Sequence, residues 1–125
     1  PGNFDQFGAT LENAARLHKA GVTVAFSQSG DASHMARKLR QGAGIAVANG
    51  LPWDAGLAAI TANPAAIFGA GDRGRIAVGQ RADLVLWDGD PLDVSSLATQ
   101  VWIGGEAQPM VSRQTLLRDR YAPKR

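Results

Sequence analysis

Three side chains capable of chemistry crowd one short stretch, Ser27-Gln-Ser-Gly-Asp-Ala-Ser-His34, which offers a hydroxyl at Ser29, a carboxylate at Asp31 and an imidazole at His34. The stretch follows the apolar run Val22-Thr-Val-Ala-Phe26, and in α/β architectures the loop at a strand's carboxyl end is where chemistry is placed. Carboxylate and imidazole are the usual groups for moving protons there. Each also has a plain structural use. A carboxylate just before a helical pattern caps the free backbone amides, and a lone histidine without a ligand partner is an ordinary surface or packing residue. His18 sits at a helix end and is assigned no catalytic role. The chain has two His and no Cys, so a thiolate metal site and a Cys nucleophile are excluded.

Other chemistries find less support. Gly69, Gly71 and Gly74 lack the Lys-Ser/Thr ending and the preceding strand of a phosphate loop. Gly42 and Gly44 have no following glycine at Val47 and no strand leading into them. Asp83, Asp88, Asp90 and Asp93 miss the spacing and closing Glu of a calcium loop, and read as turn formers. Trp53, Trp87 and Trp102 fall at a helix start and in two strand patterns, where packing is their expected use. Net charge is +2 from 13 basic and 11 acidic residues, with no concentrated basic face, so no nucleic-acid partner is expected. Arg113, Arg118, Arg120, Lys124 and Arg125 read as a solvated helix and tail. No apolar run approaches the ~20 residues of a membrane span, and no membrane partner is expected.

The elements that would position the loop are legible in order. Thr10 to Ala20 carries a helical stripe of Leu11, Ala14, Ala15 and Leu17, with Thr10 as candidate N-cap and Gly21 as stop, for a helix over Ala9–Ala20. Val22–Phe26, β-branched and almost continuously apolar, predicts a parallel strand buried on both faces. His34–Asn49 predicts a second helix, capped by Ser33 or Asp31 and closed by Gly50, in which Gly42 and Gly44 either permit close packing or mark a break. A third helix runs from Leu51-Pro-Trp-Asp54 to about Thr61, broken by Asn63-Pro64, with one more helical turn up to Gly69. Strands are expected at Arg75–Val78, Ala82–Trp87 and Thr99–Ile103. Gly104-Gly105 is a hairpin turn, Glu106–Met110 its return cut by Pro109, and Ser112 caps a helix over Arg113–Arg120.

Three phrases in this order, Thr61-Ala-Asn-Pro-Ala-Ala-Ile-Phe-Gly69, Gly74-Arg-Ile-Ala-Val-Gly-Gln-Arg-Ala-Asp-Leu-Val-Leu-Trp-Asp88 and Val101-Trp-Ile-Gly-Gly-Glu106, resemble the C-terminal signature of the amidohydrolase superfamily, on its imidazolonepropionase-like and prolidase-like branch. The resemblance covers about Ala9 to Glu106. It implies an α/β fold: the C-terminal fragment of a (β/α)8 metal-dependent hydrolase barrel, followed by strands of a small β-sandwich. Residues 1–66 would hold the last helix-strand-helix of the barrel, and 67–125 the sandwich strands and a closing helix. A complete barrel needs on the order of 250 residues, and the chain opens on Pro1 without an initiator Met. It is therefore expected to be a piece of a longer protein, and a leader upstream of Pro1 is left open.

The resemblance implies that the parent protein uses a divalent metal, zinc above all, to hydrolyse C–N bonds of a small-molecule amide substrate, and that Asp31 is the general base or a metal ligand, with Ser29 and His34 lining the mouth. It also implies a His-x-His pair and further His or Lys ligands that a chain with two His does not supply, so this chain by itself is expected to bind no metal and not to catalyse. The family's last-strand Asp falls on Ser29 here, a departure from the pattern. It leaves two readings: an active site in which Asp31 serves, or a degenerate, non-catalytic subunit that completes a fold with a partner chain. An isolated barrel strand leaves open edges, so a homo-oligomer or strand-exchanged assembly is expected. The expected compartment is cytoplasmic.

Overall fold

The computed structural model describes residues 8–28 and 32–122. Within them the order is α1 (Asn13–Lys19), a 3-10 segment (Ala32–Lys38), α2 (Leu39–Ala48), α3 (Trp53–Ala58), α4 (Ala62–Ile67), β1 (Leu84–Trp87), β2 (Ala98–Ile103), β3 (Glu106–Ala107) and α5 (Arg113–Tyr121). Helices come first and strands after, which gives the mixed α/β content expected.

Each helix departs a little from its sequence pattern for a local reason. α1 starts at Asn13, later than expected, because the Thr10 hydroxyl donates to Asn13 Oδ1 at 3.2 Å and caps nothing; Glu12 stands at the N-cap without a side-chain bond. The second helix divides into the 3-10 segment and α2, and its capping by Asp31 falls outside the described residues. The interruption expected at Asn63-Pro64 moves upstream to residues 59–61, and Pro64 sits in the first turn of α4. A proline is tolerated there because the first-turn amides have no intrahelical acceptor to lose.

The helical core is built from small residues. Ala43 and Ala46 of α2, Leu51, Ala59 and Ala62 are buried, with Gly56 of α3 among them and Leu92 inserted from the turn after β1. Gly44 shows why the fit needs a missing side chain: a methyl there would lie 2.3 Å from the Leu92 carbonyl oxygen. Close packing is therefore its use, whereas a Cβ on Gly42 would meet nothing within 4 Å.

β1 and β2 pair antiparallel with Leu84 opposite Trp102 and Val85 opposite Val101, and the register slips between Leu86 and Trp87. β2 pairs antiparallel with β3 across Gly104-Gly105, giving the order β1-β2-β3. Both turn glycines have positive φ, 60° and 87°, as a two-residue hairpin of the primed type requires. Pro109 ends the return early, after Ala107. α5 carries the expected cap in reciprocal form: Ser112 Oγ accepts from the Thr115 amide at 3.2 Å, and Thr115 Oγ1 accepts from the Ser112 amide at 2.8 Å.

Two expected strands are not formed. Val22–Phe26 runs without regular secondary structure and has no ladder partner among the described residues; helices supply its contacts instead. Arg75–Val78 likewise pairs with nothing described, and Ile76 and Val78 stand 90% and 105% exposed. A strand needs a neighbour for its backbone groups, and a strand-like sequence alone does not provide one. The tryptophans also differ from expectation: Trp53 is 43% exposed, while Trp87 and Trp102 are half-buried.

Candidate functional site

The candidate loop starts from a segment held by helix groups. The Phe26 amide donates to the Ala59 carbonyl at 3.0 Å, and Asn63 Nδ2 donates to the Val24 carbonyl at 2.8 Å. Ala59 directly follows α3 and Asn63 lies in α4, so these short helices fix the path of residues 22–28. Asn63 is the residue sequence reasoning missed here; its place before Pro64 marked a break and gave no sign that its amide reaches back 39 residues.

Of the three candidate side chains, His34 lies in the 3-10 segment and is exposed. Ser29 and Asp31 lie outside the described residues, so the structure does not bring the three together or separate them. Among the described residues no three His, Cys, Asp or Glu cluster as a metal site would require.

Two open clefts flank the helices. One, of about 370 Å³, is lined by His18, Gly21 to Val24, Asp54 and Asn63 among others. It opens beside the start of the 22–28 segment, at the end away from Ser27. The other, of about 400 Å³, lies between α4 and the following turns, with Arg73 and Asp83 at its rim. Neither is lined by His34.

Asp83, Asp88, Asp90 and Asp93, the aspartates read as turn formers, each accept a backbone amide. Asp83 Oδ1 accepts the Gly104 amide at 2.7 Å and Arg81 Nε at 2.9 Å, and Arg73 stands 3.7 Å from its other oxygen. The Gly104 amide above all, then Arg81, holds the Asp83 carboxyl below the usual carboxylate range. Asp72 is lowered chiefly by its bond to Arg73, and Asp93 by the Ser95 amide. Asp88 accepts the Leu97 amide at 2.7 Å, and Asp90 accepts the Leu92 amide at 2.8 Å together with the Trp53 indole N–H. These carboxylates shape backbone, as the turn reading expected.

Helix and sheet are joined by one residue that no sequence pattern marked. Arg40, in the first turn of α2, donates to the carbonyls of Pro91 (3.1 Å), Asp93, Val94 (3.4 Å) and Ser96 (2.9 Å). Its guanidinium also lies 4.7 Å from the centroid of Trp87. An arginine 51 to 56 residues from its acceptors carries no local signal.

The family model described as the amidohydrolase family matches residues 19–107. An amidohydrolase, tasK, of Hapsidospora irregularis is 52% identical over 60 residues, 47% of this chain and 6% of that protein. An N-acyl-D-glutamate deacylase of Alcaligenes xylosoxydans xylosoxydans is 52% identical over 40 residues, 32% of this chain and 8% of that protein. The crystal structure of an amidohydrolase from Thermotoga maritima MSB8 superimposes with a TM-score of 0.73 at 32% identity, over 85% of this chain and 28% of that one. The chain thus spans a small part of the length of each relative.

Proposed function

The chain belongs to the amidohydrolase family, and on that premise we propose that it forms the C-terminal part of a metal-dependent hydrolase that cleaves C–N bonds in small-molecule amides and is inactive by itself. The observation that carries this is the superposition of 85% of the chain on little more than a quarter of a solved amidohydrolase, at 32% identity. In this proposal residues 1–66 end a (β/α)8 barrel, and 67–125 contribute strands to a small β-sandwich. Val22–Phe26 is the last barrel strand awaiting its neighbours, and Arg75–Val78 a sandwich strand awaiting its own. Within an oligomer or a strand-exchanged assembly those backbones would be paired.

The site of the proposal is the loop after Phe26. Asp31 serves as general base or as a ligand of a divalent ion, zinc above all, and Ser29 and His34 line the mouth. When the C–N bond is hydrolysed, water adds to the amide carbon, its proton passes to a carboxylate, and the departing nitrogen leaves with a proton. The bound ion's contribution in such enzymes is to generate hydroxide at neutral pH; its remaining ligands would come from outside the described residues. The N-acyl amino acid linkage named in one relative is the first substrate class to assay. A second reading, a degenerate subunit without catalysis, is favoured by one residue, Ser29, at the position where the family's pattern carries an aspartate.

Asp31→Asn in the full-length protein decides between them. The catalytic reading expects loss of hydrolysis of N-acyl amino acids by at least about a hundredfold, at the low end of general-base contributions. Metal content and turnover equal to the parent protein's would remove Asp31 from the site.

A further inference from the structure

The guanidinium of Arg40 has an unusual set of acceptors. It meets four backbone carbonyls from one short turn, residues 91–96, and the face of Trp87. No carboxylate oxygen lies within ion-pair distance of it among the described residues. The rigid fork of an arginine matches several acceptors of fixed geometry at once, whereas an ammonium presents a point charge. The turn it grips is also seated by Leu92 against Gly44 and Gly56, and by Asp90 on the Trp53 indole. On the other side of the contact, Arg40 is the second residue of α2, directly after the 3-10 segment that carries His34.

We propose that Arg40 is a positioning residue: by gripping the 91–96 carbonyls and Trp87 it fixes the start of α2 against that turn, and through α2 it holds the preceding 3-10 segment 32–38, which carries His34. The role in hydrolysis rests on the function proposed above; the role in holding the segment does not. Leu92 and Trp53 dock the same turn onto α2 and α3 away from the 3-10 segment. Losing one of them loosens the interface without releasing that segment, which makes them the natural comparison.

The test compares Arg40→Lys with Trp53→Phe in the full-length protein, using backbone amide exchange by mass spectrometry beside steady-state kinetics on an N-acyl amino acid. Arg40→Lys keeps the charge and loses the fork. Amides of residues 32–38 are expected to exchange about tenfold faster and kcat to fall about tenfold, the low end for loss of a group that orients a site residue, with KM little changed. Trp53→Phe is expected to lower the melting temperature without either change. Trp87→Leu, which removes the ring and leaves the carbonyls, should fall between. Unchanged exchange over 32–38 in Arg40→Lys overturns the proposal whatever the kinetics. So does a loss of activity that merely follows melting temperature in all three variants. Should the parent protein hydrolyse no amide, the functional reading fails, and the exchange experiment alone decides the role of Arg40.

Discussion

Two glycines two positions apart on α2 should respond to the same substitution with opposite sign. A methyl on Gly42 meets nothing within 4 Å, so Gly42→Ala gains helix propensity and stabilises by about 0.5–1 kcal/mol. A methyl on Gly44 would lie 2.3 Å from the Leu92 carbonyl oxygen and 3.4 Å from its carbonyl carbon. Because the opposing atoms are backbone, no side chain can swing aside. The turn must withdraw by about 1 Å to restore an ordinary carbon–oxygen contact, which lifts Leu92, only 6% exposed, from its seat. Partial loss of a burial worth about 1.5–3 kcal/mol, set against the propensity gain, leaves Gly44→Ala less stable by about 1–2 kcal/mol. At this chain length each kcal/mol moves the melting temperature by roughly 3–6 °C. Thermal unfolding followed by circular dichroism reads both variants. A Gly44→Ala protein as stable as Gly42→Ala would refute the close approach of α2 and the 91–93 turn.

Acid should expose the turn carboxylates. Asp83 titrates below its unfolded value, so its contribution is present above the unfolded pKa and is lost as pH falls through the lowered one; Asp83→Asn is expected to flatten the acid limb of stability below about pH 4, read as melting temperature against pH. Ser112→Ala removes the reciprocal cap of α5 and should cost that helix about 1 kcal/mol, seen as faster amide exchange over 113–116 with the sheet unaffected. The exposed Ile76 and Val78 should become protected when their segment finds a strand. Amide exchange across 75–78 is expected to be slow in the assembled full-length protein, and a rate equal to that of an unstructured peptide would exclude the pairing.

What the sequence made legible was what depends on near neighbours. The Gly104-Gly105 hairpin, the Ser112 cap and the turns of Asp90 and Asp93 are local chemistry, and each appears where its residues placed it. Thr10 misled because the helix starts at Asn13, with Glu12 at the N-cap, and the Thr10 hydroxyl donates to Asn13 Oδ1 instead of accepting a backbone amide. Val22–Phe26 and Arg75–Val78 read as strands because residue type records a preference for extended backbone, while pairing depends on a second segment that the pattern does not contain. Arg40, Asn63 and Leu92 were invisible for a related reason. Their partners lie 51, 39 and 48 residues away, and nothing in a window of ten residues distinguishes an arginine that will meet four carbonyls from one in solvent.

On the proposed function, this chain supplies one portion of a hydrolase and leaves the metal centre incomplete by itself. Calorimetric titration of the 125-residue chain with Zn²⁺, followed by assay of the same sample on an N-acyl amino acid, tests it most directly. No stoichiometric tight site and no turnover are expected. One tightly held ion per chain accompanied by amide hydrolysis would contradict the proposal.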